Sequence, residues 1–227
     1  MVRLNLLVEG QTEETFVKRV LVPHLAQLGV YATPRLLATR SKAASRRHKG
    51  GLLRFGQFRS DLSNWMKEDR GRDARFSSMI DLYALPDDFP GKPDLPSGVQ
   101  PLARVMGLEE RLGATIGDDR FLPYIQLHEF EALLLTDPAA LAHEFPDERK
   151  AIEPLVQFMV GKEPEEVDES PEGAPSKRIA HYLPGYLDRK PSAGPATAER
   201  IGLPTLRARC PHFNTWLERL ERLGHAV

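Results

Sequence analysis

Apolar positions change period several times along the chain, and each change predicts an element. Leu4, Leu6, Leu7 and Val8 form a short apolar run closed by Glu9-Gly10, which predicts a strand and a tight turn. Phe16, Val17, Val20, Leu21, Leu25 and Leu28 then recur on one helical face. Pro23 is expected to kink that helix or end it early, because proline removes a backbone donor and clashes with the preceding turn. Residues 31–39, around Leu36-Leu37-Ala38, predict a second strand, and Phe55, Phe58, Leu62 and Trp65 predict a second helix entered at Gly50-Gly51. Residues 76–81 read as a third strand that closes on Asp81. Residues 87–101, rich in Pro, Gly and Asp, predict a long loop, and Pro101 suits the first turn of a third helix to about Leu112. Residues 121–127 predict a fourth strand, which Pro123 confines to an edge or shortens, and 129–135 a short helix or helical turn.

Beyond Asp137 the period is helical throughout. Asp137-Pro138 reads as a cap and first turn, Ile152, Leu155, Val156 and Met159 as one face, and Phe213, Trp216, Leu217, Leu220 and Leu223 as another. The acidic, proline-bearing stretch 161–175 reads as a solvated linker. Four strands alternating with helices predict an α/β fold, a four-stranded parallel sheet flanked by helices, since a parallel connection needs a crossover and the crossover is usually a helix. The expected organisation is an α/β domain over 1–136 and a helical C-terminal extension over 137–227.

Composition narrows the chemistry. The 227 residues, 41% hydrophobic, suffice for one core with at most a small appendage, and 31 basic against 32 acidic residues leave no bulk field to hold a polyanion or a membrane. Polyanion contact must therefore be local. The single Cys210 cannot close an intramolecular disulfide, and the opening apolar run is too short for a signal-peptide core, so a reducing, cytoplasmic setting is expected. No stretch approaches the ~18 apolar residues of a spanning helix, so no membrane partner is expected. P-loop, dinucleotide-binding and G-x-S-x-G patterns are absent.

The acids fall where ligands bind. In an open parallel sheet ligands sit beyond the carboxyl ends of the strands. Glu9 closes the first strand, Glu13 lies in the following helical turn, Asp81 closes the third, and Glu129 and Glu131 follow the fourth. Carboxylate oxygen is what Mg²⁺ and Mn²⁺ take, and such ions can activate a water and steady a leaving oxygen in phosphodiester cleavage. Crowded acids without a cation repel and must take up protons. The plain structural alternative is that Glu13 favours a helix N-terminus, Asp81 caps a turn and Glu129 caps the next helix.

Val8-Glu9-Gly10-Gln11-Thr12-Glu13 after an opening strand, Ile80-Asp81 closing a later one, and His128-Glu129-Phe130-Glu131-Ala132-Leu133 after a fourth resemble the Toprim-like domain of unknown function numbered 4276, related to the nuclease domains of overcoming-lysogenization-defect proteins. Residues 174–179, Pro184-Gly185-Tyr186 and Cys210-Pro211-His212-Phe213 with Trp216 are similar to that family too. The resemblance implies a Toprim-like, Rossmann-like core in which Glu9, Asp81 and Glu129 are the catalytic and first metal ligands, with Glu13, Asp88 and Glu131 completing the site around Mg²⁺ or Mn²⁺. It implies cleavage of DNA or RNA, beside a separate AAA- or ABC-type ATPase, in phage defence or repair. One departure stands out: the usual Asp-x-Asp is here Asp81-Leu82-Tyr83, and Asp87 or Asp88 is the expected replacement for the second acid.

Between Arg40 and Arg54 lie six Lys or Arg and no acid. Arg46, Arg47, Lys49, Gly50, Gly51 and Arg54 are the expected phosphate-binding segment, since a helix entrance with glycines and cations attracts phosphate, against the alternative of a solvated basic loop. Lys177 and Arg178 form a second small basic site. His128 is expected to cap or pack, and His181, Cys210 and His212 are too few and too poorly spaced for zinc. Tyr182, Tyr186, Phe213 and Trp216 are expected as core aromatics. Besides a metal-dependent nuclease, the residues allow a non-catalytic regulatory subunit of an ATPase complex, favoured by Tyr83, or a small-molecule phosphohydrolase.

Overall fold

β1 (Val2–Val8) pairs in parallel with β2 (Val30–Leu36) on one side and β3 (Ala74–Asp81) on the other. Leu4, Leu6, Leu7 and Val8 are all inaccessible to solvent, as a strand covered on both faces requires. The computed structural model describes residues 1–37, 54–94, 98–167 and 173–225. Across them the protein is an α/β fold whose sheet runs β2–β1–β3–β4, with β4 (Phe121–Leu122) and β5 (Ile125–Gln126) both parallel to β3.

The single fourth strand expected over 121–127 is thus two short pieces. Pro123 has no N–H to donate, and Ser78 of β3 fills the break: its hydroxyl donates to the Tyr124 carbonyl at 2.9 Å and accepts from the Tyr124 N–H at 3.1 Å. Pro23 does not end the helix early. The helix runs from α1 (Gln11–Phe16) through a π-helical turn (Val17–Leu21) into α2 (Val22–Ala26), and Pro23, which has no N–H to donate, follows the π-helical turn where the α-helical pattern is already interrupted.

Alternation along the strands divides the core. Leu4, Leu6, Val8 and Met79 pack with α1 and α2 on one face. Leu7, Ala74, Phe76 and Ile80 pack on the other against α3 (Phe55–Glu68) and α4 (Pro101–Ile116). Gly117, with φ 65°, ends α4 in the left-handed conformation that glycine adopts at low cost.

Residues 137–225 continue the first of these cores. Three 3₁₀ segments, Phe130–Thr136, Pro138–His143 and Pro146–Glu148, lead into α5 (Arg149–Phe158). After these come α6 (Pro175–Tyr182), α7 (Tyr186–Ile201), α8 (Leu203–Arg209) and α9 (Pro211–Arg222). Phe16 of α1 meets Phe130 edge-on at 5.4 Å and Phe213 of α9 at 6.2 Å. Trp216 lies flat on Tyr124, centroids 4.1 Å apart, and its indole N–H donates to Ser77 Oγ at 2.9 Å. Tyr186, Phe213 and Trp216 are buried as expected for core aromatics, and Tyr182 is half-buried.

The stretch 161–175 is not wholly a solvated linker. Glu165, in a 3₁₀ turn at Pro164–Glu166, is only 7% exposed. Its two oxygens accept the His212 and Phe213 N–H groups at 3.0 and 3.1 Å, because the first turn of α9 needs acceptors that its own helix cannot supply. Residues 168–172 lie outside the described residues. Among the described residues, no helix is long and apolar enough to cross a membrane.

Candidate functional site

Because β1 and β3 are parallel neighbours, with Val8 opposite Met79, their carboxyl ends lie side by side. Glu9 follows the one and Asp81 closes the other, and Glu9 Oε2 accepts the Asp81 N–H at 3.1 Å. Gly10, in extended conformation, is the N-cap of α1, and Glu13 at the third helical position reaches back so that its Oε2 accepts the Gly10 N–H at 2.9 Å. Asp81 Oδ1 accepts the Phe130 N–H at 2.9 Å, which ties the end of β3 to the segment after β5. Glu129 Oε2 accepts the Ser176 N–H at 2.9 Å in the first turn of α6. Glu131 is fully buried: Oε1 accepts the Tyr186 hydroxyl at 2.7 Å, and Oε2 faces the Lys190 ammonium at 2.9 Å. Of the local jobs in the plain structural reading, only that of Glu13 at the N-terminus of α1 is present: Asp81 and Glu129 accept N–H groups from distant segments and do not cap the turn and helix that directly follow them. Among the described residues, Glu9, Glu13, Asp81 and Glu129 each anchor one oxygen on a backbone N–H.

Residue 128 turns the chain into the rim. His128 has φ 62°, a left-handed conformation that a non-glycine residue adopts only when its surroundings hold it there. Its Nε2 bonds the Glu165 carbonyl at 3.0 Å, so that nitrogen carries the proton, and Nδ1 therefore accepts the Tyr83 hydroxyl at 2.9 Å. The buried histidine is a packing residue, as expected.

The acids perturb one another. Burial, then the charge of Glu13, raises the Glu9 carboxyl to about 7. Burial followed by Glu13 and Glu9 pushes Asp81 well above the usual carboxylate range. Burial, with Glu131 adding to it, raises Glu13, and burial raises Glu131 despite its ion pair with Lys190. Burial alone would lower the Lys190 ammonium, but Glu131, Asp81 and Glu129 outweigh it and raise its pKa. Among the described residues, five carboxylates thus share one electrostatic environment with the Lys190 ammonium.

Lys190 and Tyr186 are the site residues that the sequence reading misses. They stand one turn apart on α7, a helix with Pro191 and Pro195 inside it, and their spacing carries no sign of which surface that face will meet. Gly194 lets α7 come close: a Cβ there would meet Tyr186 Oη at 3.1 Å, Phe130 Cε1 at 3.3 Å and Thr12 Cγ2 at 3.4 Å. Gly194→Val is therefore expected to destabilise the protein by ~1–3 kcal/mol through overpacking. It should also loosen Tyr186 from Glu131. Urea unfolding measures the first effect; a Gly194→Val midpoint equal to the parent's would contradict the close approach.

Other expected site residues fall elsewhere. Asp88 does not fold back to replace the second acid: its Oδ1 accepts the Phe55 N–H at 2.9 Å and caps α3. Asp87 pairs with Lys92 at 3.2 Å. Arg54 is exposed at the N-cap of α3, Lys177 is exposed on α6, and Arg178 lies over the Phe158 ring at 4.0 Å. Arg46, Arg47, Lys49, Gly50 and Gly51 lie outside the described residues.

The donor set suits a hard divalent ion, since every rim acid offers carboxylate oxygen, and burial together with mutual repulsion raises the pKa values of Glu9, Glu13 and Asp81, which a cation would offset. It is not a closed shell: among the described residues, no three His, Cys, Asp or Glu side chains stand ready to hold a metal ion. Side-chain rotation about the anchored oxygens would be needed to form one.

Fold and rim together define an α/β protein with a parallel sheet and a buried acidic cluster at the carboxyl ends of its strands. The chain belongs to the family described as Domain of unknown function (DUF4276), whose profile matches residues 8–221. No curated protein and no solved structure matches the chain.

Proposed function

We propose that this protein is a metal-dependent nuclease that cleaves phosphodiester bonds in DNA or RNA. The observation that carries the reading is the convergence of Glu9, Glu13, Asp81 and Glu129 from separate elements onto one rim, each with one oxygen anchored by a backbone N–H. The resemblance of residues 8–13, 80–81 and 128–133 to Toprim-type nucleases points the same way. Bound Mg²⁺ or Mn²⁺ would lower the pKa of a water and offset charge on the leaving oxygen. Glu9 and Asp81, on adjacent strands, would hold the ion, and Glu129 would complete its shell. Their backbone anchors fix where each carboxylate starts, which limits the reorganisation needed to bind a cation. Lys190 offsets part of the negative charge that would otherwise repel a phosphate. The basic residues of segment 46–54 would contact phosphate, and a separate ATPase would supply the setting of phage defence or repair.

Purified protein incubated with supercoiled DNA, linear DNA and RNA should cleave at least one of them with Mn²⁺ or Mg²⁺ and none with EDTA. Asp81→Asn should lower the rate by about 10²–10³-fold, the cost of removing one charge-stabilising group from a preorganised site. Cleavage in EDTA, or an Asp81→Asn protein as active as the parent, would overturn the mechanism.

One observation favours a second reading, a non-catalytic regulatory subunit of an ATPase complex. Tyr83 stands at the second acid's place and is held by His128. A protein that binds Mn²⁺ at the rim yet leaves every nucleic acid intact, alone and with its ATPase, would support that reading.

A further inference from the structure

We propose that the acidic rim takes a single divalent ion per chain and that the Lys190 ammonium stands in the place of a second cation. The inference rests on the metal-binding part of the reading above and deepens it. A two-ion site needs carboxylates on both sides of a bridging group. Among the described residues, the two positions from which a second ion's acid was expected, 83 and 88, do not give one to the rim. Position 83 is a tyrosine whose hydroxyl is committed to His128 Nδ1 at 2.9 Å. Asp88 is turned away to cap α3 through the Phe55 N–H.

Glu131 is buried completely, with one oxygen taken by the Tyr186 hydroxyl. Its other oxygen makes no aligned hydrogen bond and has the Lys190 ammonium, 2.9 Å away, to balance its charge. A lysine there does what a metal ion would do for Glu131, and its positive charge would repel a divalent ion placed beside it. Glu9, Glu13, Asp81 and Glu129, each of which keeps an oxygen open among the described residues, suffice for one ion whose remaining positions are water, the arrangement Mg²⁺ commonly keeps.

Manganese binding to the full chain tests the assignment without any assay of cleavage. Free Mn²⁺ followed by its paramagnetic resonance signal, with calorimetry beside it, should give one ion per parent chain, lost in Glu9→Gln. Lys190→Met keeps the length of the side chain and removes the charge, and should raise the count to two. Lys190→Arg should keep it at one.

Two ions per parent chain would overturn the inference while leaving the metal-dependent reading intact. One ion in both the parent and Lys190→Met would refute the role of Lys190. No Glu9-dependent ion in the parent would sink the metal-dependent reading and this inference with it. The parent count alone decides between one ion and two, even if Lys190→Met fails to fold.

Discussion

Metal-free Glu9→Gln protein is expected to be more stable than the parent at pH 8 by up to about 3 kcal/mol, although it removes a residue placed at the heart of the site. Burial and the neighbouring Glu13 push the parent's Glu9 carboxyl up to about 7 in the folded chain, from an ordinary 4.5. A folded-state pKa raised in this way contributes stability that is fully present below the unfolded value and disappears as pH climbs through the folded one. The loss should fall between about pH 4.5 and 7, at a slope of at most about 1.4 kcal/mol per pH unit for one proton. Asp81, Glu13 and Glu131 are shifted in the same direction and add to the slope.

Glutamine keeps an oxygen to accept the Asp81 N–H and carries no charge to repel Glu13, so the variant's pH profile should be flatter. Urea unfolding in EDTA at pH 5 to 8 measures both curves. Parallel curves for parent and variant would mean that Glu9 is ionised without penalty and that the rim is not short of positive charge. Addition of Mn²⁺ should recover stability in the parent, by roughly 2.7 kcal/mol at a hundredfold excess over Kd, and much less in the variant. A buried acidic rim that costs stability fits the general trade of stability for function.

Trp216→Ala is expected to have the largest effect on folding, ~3–5 kcal/mol, the range for truncating a buried tryptophan or phenylalanine. The indole is 2% exposed. It stacks on Tyr124 with an interplanar angle of 8° and packs at 5.8 Å against Phe213. The tryptophan is the point at which α9 meets the β3–β4 side of the sheet, since its N–H donates to Ser77 of β3. Trp216→Phe should recover most of the loss, leaving about 1 kcal/mol for the indole hydrogen bond. Thermal or urea unfolding distinguishes the two variants. Equal, small losses in both would mean that the C-terminal helices are held mainly elsewhere. The site feels this joint because α7, which carries Lys190 and Tyr186, belongs to the same core as Trp216.

Much of the site was legible because strand ends are legible. Apolar runs that stop at Glu9 and Asp81 mark where strands close, and a parallel sheet puts those closures on one edge, so acids distant along the chain could be grouped without coordinates. Asp88 shows where that logic stops. It lies a few residues past Asp81, but the 3₁₀ turn Leu82–Ala84 redirects the chain, and the unpaired N–H of Phe55 takes the carboxylate. Nearness in sequence says nothing about direction after a turn. Glu165 fails for the same kind of reason: an acidic, proline-bearing stretch reads as solvated, and only the packed helix α9 reveals the N–H groups that draw one of its acids inside.

Taken alone, the sequence determined the α/β class, the parallel order of strand and helix and the acids of Glu9, Glu13, Asp81, Glu129 and Glu131, because local period and strand termination are written in neighbouring residues. Only the tertiary structure decided that Lys190 enters the rim, that Tyr83 is committed to His128 and that Asp88 is not. Those outcomes depend on how α7 docks through Gly194 and which way short turns point, and such long-range packing is the joint product of many side chains, with no local signature for any one of them.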